Sequence, residues 1–150
     1  MIKLSLINAM KIFYASNFHL YYKTHTAHFN VSGMFFESLH TLLNNQYTDL
    51  QENIDTIGEK IRQMDVFVPG SIAWILEHSV FEEFDKVMSA KDYVTALYHD
   101  NERMIMLLEH VFDAANSENN QAIANYVSER LDAHQKNRWM LRTTLNPVKF

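Results

Sequence analysis

Apolar residues recur every three or four positions along most of this chain. Leu6, Met10, Phe13, Ala15, Phe18, Leu20 and Tyr21 follow that spacing with no Gly or Pro between them. The pattern predicts a long helix from about Ser5 to His28. Asn30-Val31-Ser32-Gly33 interrupts it, since Gly readily takes the backbone conformation that ends helices. Leu39, Leu42, Leu43, Tyr47, Leu50, Ile54, Ile57 and Ile61 then form a stripe near heptad spacing, predicting a second helix from about Phe36 to Met64. Val68-Pro69-Gly70, within the segment from Asp65 to Ser71, closes it. Ile72 to Phe84 reads as a short helix with Ser71 as its cap. A third long helix runs from about Lys91 to Ala115 behind Ser89, with Tyr93, Val94, Leu97, Met104, Leu107, Leu108 and Val111 on its buried face. A polar link, Asn116 to Asn120, leads to a last helix from about Gln121 to Leu145, ahead of Pro147.

Two helical hairpins joined by one long connection describe an all-α, ferritin-like four-helix bundle, with a short extra helix in the crossover between helices 2 and 3. Composition agrees. Three Gly and two Pro in 150 residues suit long helices, and a 47% apolar content fills a core. The length fits one domain spanning residues 1–150. With no cysteine, disulfides, thiol chemistry and Cys-ligated zinc are excluded. Met1-Ile2-Lys3-Leu4-Ser5 lacks the charged region followed by an apolar run that a leader shows, and no apolar run reaches the roughly 20 residues needed to span a membrane, so a cytoplasmic location is expected. The net charge of −5 argues against a broad DNA-binding surface and suits a protein that attracts cations.

The candidate chemistry lies between His28 and Glu59. Offsets of 4, 11, 15 and 19 put His40, Asn44, Gln51, Asp55 and Glu59 on one face of the second helix. A hairpin brings His28, near the end of the first helix, toward His40. Imidazole with carboxylate suits Fe(II), Mn(II) or Zn(II). At 1.5 Å per residue, His40 and Asp55 stand about 22 Å apart along their helix and cannot hold one ion within a chain. If two copies of this helix pack antiparallel around an axis near Tyr47–Leu50, His40 of one faces Asp55 and Glu59 of the other. A two-fold contact then makes two identical sites. An intra-bundle di-iron centre needs two Glu-x-x-His motifs, and Glu37-Ser38-Leu39-His40 is the only match.

At these residues the chain resembles the DNA-protection-during-starvation (Dps) family, the mini-ferritins. The shared pattern is His-aromatic-Asn-Val-x-Gly, then Phe-x-x-x-His, then Asp-x-x-x-Glu, and the likeness extends to Trp139-Met140-Leu141-Arg142. The resemblance implies a homo-oligomeric shell of twelve subunits. Such a shell is a ferroxidase that oxidises Fe(II), preferably with hydrogen peroxide, and stores ferric mineral inside. It maps the metal-binding and catalytic ligands onto His28, His40, Asp55 and Glu59. The chain departs from the family pattern at Asn44, where an acid is frequent, and at Phe29, where Trp is common. It departs again in the acid-poor stretch Asn116–Asn125, whose only acid is Glu118, and in lacking a Lys-rich tail. The competing readings are a non-catalytic or zinc-binding shell, supported by Asn44 and Phe29, and a DNA-compacting protein, opposed by the missing Lys/Arg tail. Among other residues, Tyr47 is expected in the core and His25 at a surface or interface. No role is expected for His78, His99, His110 or His134. Lys136, Arg138 and Arg142 read as a solvated or inter-subunit face.

Overall fold

The helical spacing resolves into five helices: α1 (Leu6–Asn30), α2 (Phe36–Gln63), α3 (Ile72–His78), α4 (Ala90–Ser117) and α5 (Gln121–Leu145). The computed structural model describes residues 4–146, and within them the chain has no strand. The chain's first residues and the segment from Pro147 onward, on which the expectations about a leader, tails and the final stop fall, lie outside the described residues. None of the described helices is long and apolar enough to cross a membrane.

Most of the helix ends are fixed by capping side chains or by turn residues. Ser5 Oγ accepts the Asn8 N–H at the start of α1, Ser71 caps α3 through the Trp74 N–H, and Ser89 caps α4 through the Asp92 N–H. Glu118 adds a long-range cap: its carboxylate accepts the Leu6 N–H at 2.6 Å, a favourable position for an anion at a helix N-terminus. The lone acid of the Asn116–Asn125 stretch is thereby tied to α1. Gly33 has φ +105°, so the α1–α2 turn needs glycine there. The turn after α2 is made by Asp65, at φ 62°, upstream of the Pro-Gly pair expected to close the helix. Asn119, at φ 57°, ends α4, with the Asn120 N–H reaching back to the Ala115 carbonyl at 2.8 Å.

The crossover helix is shorter than expected and stops at His78 rather than Phe84. The N–H groups that would extend it go to side chains instead. Ser16 Oγ on α1 takes the Val80 N–H at 3.1 Å, and Ser79 Oγ takes the Phe81 N–H at 3.1 Å. Ser79 also bonds His19 Nδ1 at 2.8 Å, so a histidine of α1 pins the crossover.

Helix α1 packs against α2, α3 and α4, and α4 packs against α5. Phe13, Leu20, Leu43, Leu50, Ile57, Leu97, Met104 and Leu108 are fully buried between them, each contributing roughly 1.5–3 kcal/mol. Side-chain bridges join α2 to α5. Arg130 donates to both oxygens of Asp49 at 3.1 and 2.8 Å, and the Tyr126 O–H donates to Asn53 Oδ1 at 2.6 Å.

Among the described residues Asp100 is the one buried carboxylate, and Lys23 meets it at 2.7 Å from the opposite helix. Lys23 also lies 4.5 Å from the centre of the Phe84 ring. Burial raises the Asp100 pKa and outweighs the neighbouring ammonium. Asp100→Ala, which strands Lys23, should therefore cost about 3–5 kcal/mol in urea unfolding at fixed protein concentration, whereas Lys23→Met with Asp100→Leu should recover most of that loss.

His134 is fully buried. The Asn101 amide donates to the Leu97 carbonyl, so its oxygen faces the imidazole and accepts the Nδ1–H at 2.8 Å. Burial, followed by the charge of Arg130, lowers the His134 pKa from 6.5 to about 3. The unfolded chain takes up this proton below pH 6.5 and the folded chain refuses it. The stability linked to His134 is complete above pH 6.5 and is lost as pH falls toward 3, by up to about 1.4 kcal/mol per pH unit. His134→Leu should flatten that slope in unfolding measured from pH 7 down to 4.

Candidate metal centre

The turn at Gly33 folds α2 back along α1 and sets His28 beside His40. Their rings lie 3.7 Å apart and within 17° of parallel. The hydrogen bonds are reciprocal: His28 Nδ1–H donates to the His40 carbonyl at 2.7 Å, and His40 Nδ1–H donates to the His28 carbonyl at 2.8 Å. A carbonyl oxygen only accepts, so each Nδ1 must carry the proton. In the neutral form both Nε2 atoms then keep their lone pairs for a metal ion. The second bond also completes a helix end, because the His28 carbonyl is among the last four of α1 that lack an intrahelical partner. An ion bound to both rings would need each Nε2 at the usual metal–nitrogen distance of about 2.1 Å.

Asp55 and Glu59 are placed elsewhere. Both are exposed on α2, one turn apart. Helix α2 is unbroken from Phe36 to Gln63, which holds Asp55 about 22 Å from His40. No group of three or more His, Cys, Asp or Glu side chains able to hold a metal ion comes together among the described residues of one chain. Asn44 is half-buried and Glu37 is exposed, both on α2. Among the described residues the bundle interior offers Asp100 alone as a carboxylate, and Lys23 pairs with it.

Sequence reasoning missed an aromatic cluster beside the histidines. The His25 ring stacks on Tyr47 at 3.9 Å and 7°, and on Phe29 at 4.7 Å and 24°. His25 Nδ1 meets the Tyr21 hydroxyl at 3.0 Å. Tyr47 lies 5.1 Å from His28, ring centre to ring centre. Tyr47, expected as core, is half-buried and packs on histidines, and His25 is half-buried between two rings. Burial, then the proximity of His28, lowers the His25 pKa. The signal was present as spacing: Tyr21 and His25 are one turn apart on α1, and His40 and Tyr47 are two turns apart on α2. An apolar groove of about 540 Å³ between α1 and the crossover, lined by Phe18, Tyr22, Ile75, Leu76, Phe84 and Val87 among others, does not include the paired histidines.

A model of the ferritin-like domain matches residues 7–149. An uncharacterised low temperature-induced protein of Nostoc is 32% identical over 139 residues, covering 91% of this chain and 78% of that protein. The DNA protection during starvation protein of Brevibacillus brevis is 28% identical over 126 residues, covering 84% of this chain and 85% of that one. In structure, the Dps protein from Bacillus brevis superposes with a TM-score of 0.90 at 26% identity, covering 94% of this chain and 95% of that chain.

The paired histidines and the distant carboxylates should differ in their effect on folding. His40→Ala leaves the His28 carbonyl without a donor and should cost about 1–2 kcal/mol. Asp55→Ala and Glu59→Ala, on an open helix face, should each change stability by less than about 0.5 kcal/mol. Thermal melts followed by circular dichroism compare the three.

Proposed function

The chain belongs to the ferritin-like family, in its Dps branch, and from that premise we propose that it is an iron-storage and detoxification protein with ferroxidase activity at a site shared between subunits. The reciprocal hydrogen bonding of His28 and His40 carries this reading, because it leaves the Nε2 of each ring free and holds both rings by the backbone. Asp55 and Glu59 of a two-fold partner supply the oxygen donors. One ion thus meets two neutral nitrogens and two anionic oxygens, a set that suits Fe(II) and accepts Zn(II) in its place. The distance along α2 is the support for a shared site: no bending of one rigid helix closes 22 Å, whereas an antiparallel partner does so by symmetry. The protein is taken as one domain over residues 1–150, assembled into a hollow homo-oligomer of twelve subunits in the cytoplasm.

In the proposed chemistry Fe(II) is the substrate and hydrogen peroxide the oxidant. Two Fe(II) give one electron each, the O–O bond breaks, and two protons from solvent complete two molecules of water. Carboxylate charge favours Fe(III) over Fe(II) and so promotes electron loss. Taking both electrons in one event avoids hydroxyl radical. Ferric product then moves to acidic inner-surface positions, for which exposed Glu52 on α2 is a candidate. DNA compaction does not form part of this reading, given the net charge of −5.

His28→Ala combined with His40→Ala should abolish rapid peroxide-driven Fe(II) oxidation, read by ferric absorbance, while the particle still elutes at the size of the unmodified assembly. An intact assembly that keeps the original rate would remove these histidines from the reaction.

A further inference from the structure

We propose that Tyr21, hydrogen-bonded to His25, is a one-electron donor to the metal seam and completes peroxide reduction when a single Fe(II) occupies it. This rests on the ferroxidase reading above and adds a redox residue to it.

The need arises from Asn44. Hydrogen peroxide takes two electrons and one Fe(II) supplies one. A second cation beside the first requires anionic donors, and the position one turn after His40 offers a neutral amide. With one iron bound and no other donor, cleavage of the O–O bond releases hydroxyl radical. The second electron must come from an oxidisable side chain close to the histidines.

The structure places such a group there. Tyr47 stands 5.1 Å from His28, and Tyr21 stands 6.2 Å from Tyr47 and 5.5 Å from His25, measured between ring centres. The electron therefore has a continuous path of aromatic rings from Tyr21 to a metal ligand. Oxidising a phenol at neutral pH also requires somewhere for its proton to go. Of these two tyrosines, Tyr21 is the one hydrogen-bonded to a base among the described residues, at 3.0 Å from His25 Nδ1. With the His25 proton on Nε2, the phenol O–H donates to Nδ1. Phe29 and Tyr47 stack on the imidazole and hold it at that angle.

The step balances. Fe(II) gives one electron and becomes Fe(III), and Tyr21 gives the other and becomes a neutral phenoxyl radical as its proton crosses to His25 Nδ1. The peroxide O–O bond breaks, and two solvent protons complete two water molecules. The next Fe(II) returns an electron to the phenoxyl, His25 returns the proton, and a second Fe(III) is formed. The site thus oxidises two Fe(II) per peroxide in succession through one binding position, without releasing hydroxyl radical.

The test uses the assembled protein loaded without oxygen at one Fe(II) per site, mixed with one equivalent of hydrogen peroxide, freeze-quenched and read by electron paramagnetic resonance. A tyrosyl radical is expected in the unmodified protein. In Tyr21→Phe, which removes one hydroxyl, the radical should vanish and spin-trapped hydroxyl radical should rise several-fold, with Fe(II) affinity unchanged in anaerobic titration. Tyr47→Phe should keep the Tyr21 radical but form it more slowly. Fe(II) oxidation without a tyrosyl radical, or a radical that persists in Tyr21→Phe, overturns the proposal and leaves the ferroxidase reading standing. If Fe(II) oxidation proceeds equally in the assembled His28→Ala/His40→Ala protein, the ferroxidase reading fails and this proposal falls with it.

Discussion

Two hydrogen bonds across one hairpin hold the two histidines of the proposed metal site in place. Each paired histidine gives its Nδ1 proton to the other's backbone carbonyl. That exchange fastens the end of α1 to the start of α2 and supplies a donor to a helix-end carbonyl. It also sets which ring nitrogen remains free. A side chain held by backbone keeps its orientation more firmly than one held by another mobile side chain, and metal sites depend on such outer contacts. The stability of the hairpin and the readiness of the nitrogen pair are therefore the same interaction.

The second constraint is the stiffness of α2. An unbroken helix of 28 residues keeps the carboxylates Asp55 and Glu59 a fixed distance from the histidines. The interior does not compensate, because its one described carboxylate is paired with Lys23, and the Asn17 and Asn101 amides are engaged with backbone carbonyls and, for Asn101, with His134. The bundle thus spends its buried polar groups on aligning helices: Lys23–Asp100 links α1 to α4, and Asn101–His134 links α4 to α5. In the proposed reading, metal chemistry falls to His28 and His40 at the α1–α2 hairpin and to the exposed Asp55 and Glu59 farther along α2. Such an arrangement is self-complementary under a two-fold rotation, so in this reading assembly and activity are coupled by geometry.

The departures from the family pattern gain meaning from their surroundings. Phe29, where the family commonly has Trp, stacks against His25, which in turn lies against Tyr47 and bonds to Tyr21. The neighbourhood is richer in oxidisable rings than that single position indicates. Glu118, the only acid in its stretch, already serves the N-terminus of α1.

The helices, their order, the two hairpins and the ferritin-like bundle were all legible in the residues. So were the spacing of His28, His40, Asp55 and Glu59, and the impossibility of joining all four within one chain. These follow from periodicity and from the rise of a helix, which are properties of a chain read locally. The early end of α3, the Lys23–Asp100 bridge, the capture of Glu118, the identity of the free imidazole nitrogens and the Tyr21–His25–Tyr47 cluster were decided only in three dimensions. Each depends on a particular atom from another turn or another helix arriving at hydrogen-bonding or stacking distance. No one-dimensional pattern carries that information, because many arrangements of side chains share the same helical spacing and only packing selects among them.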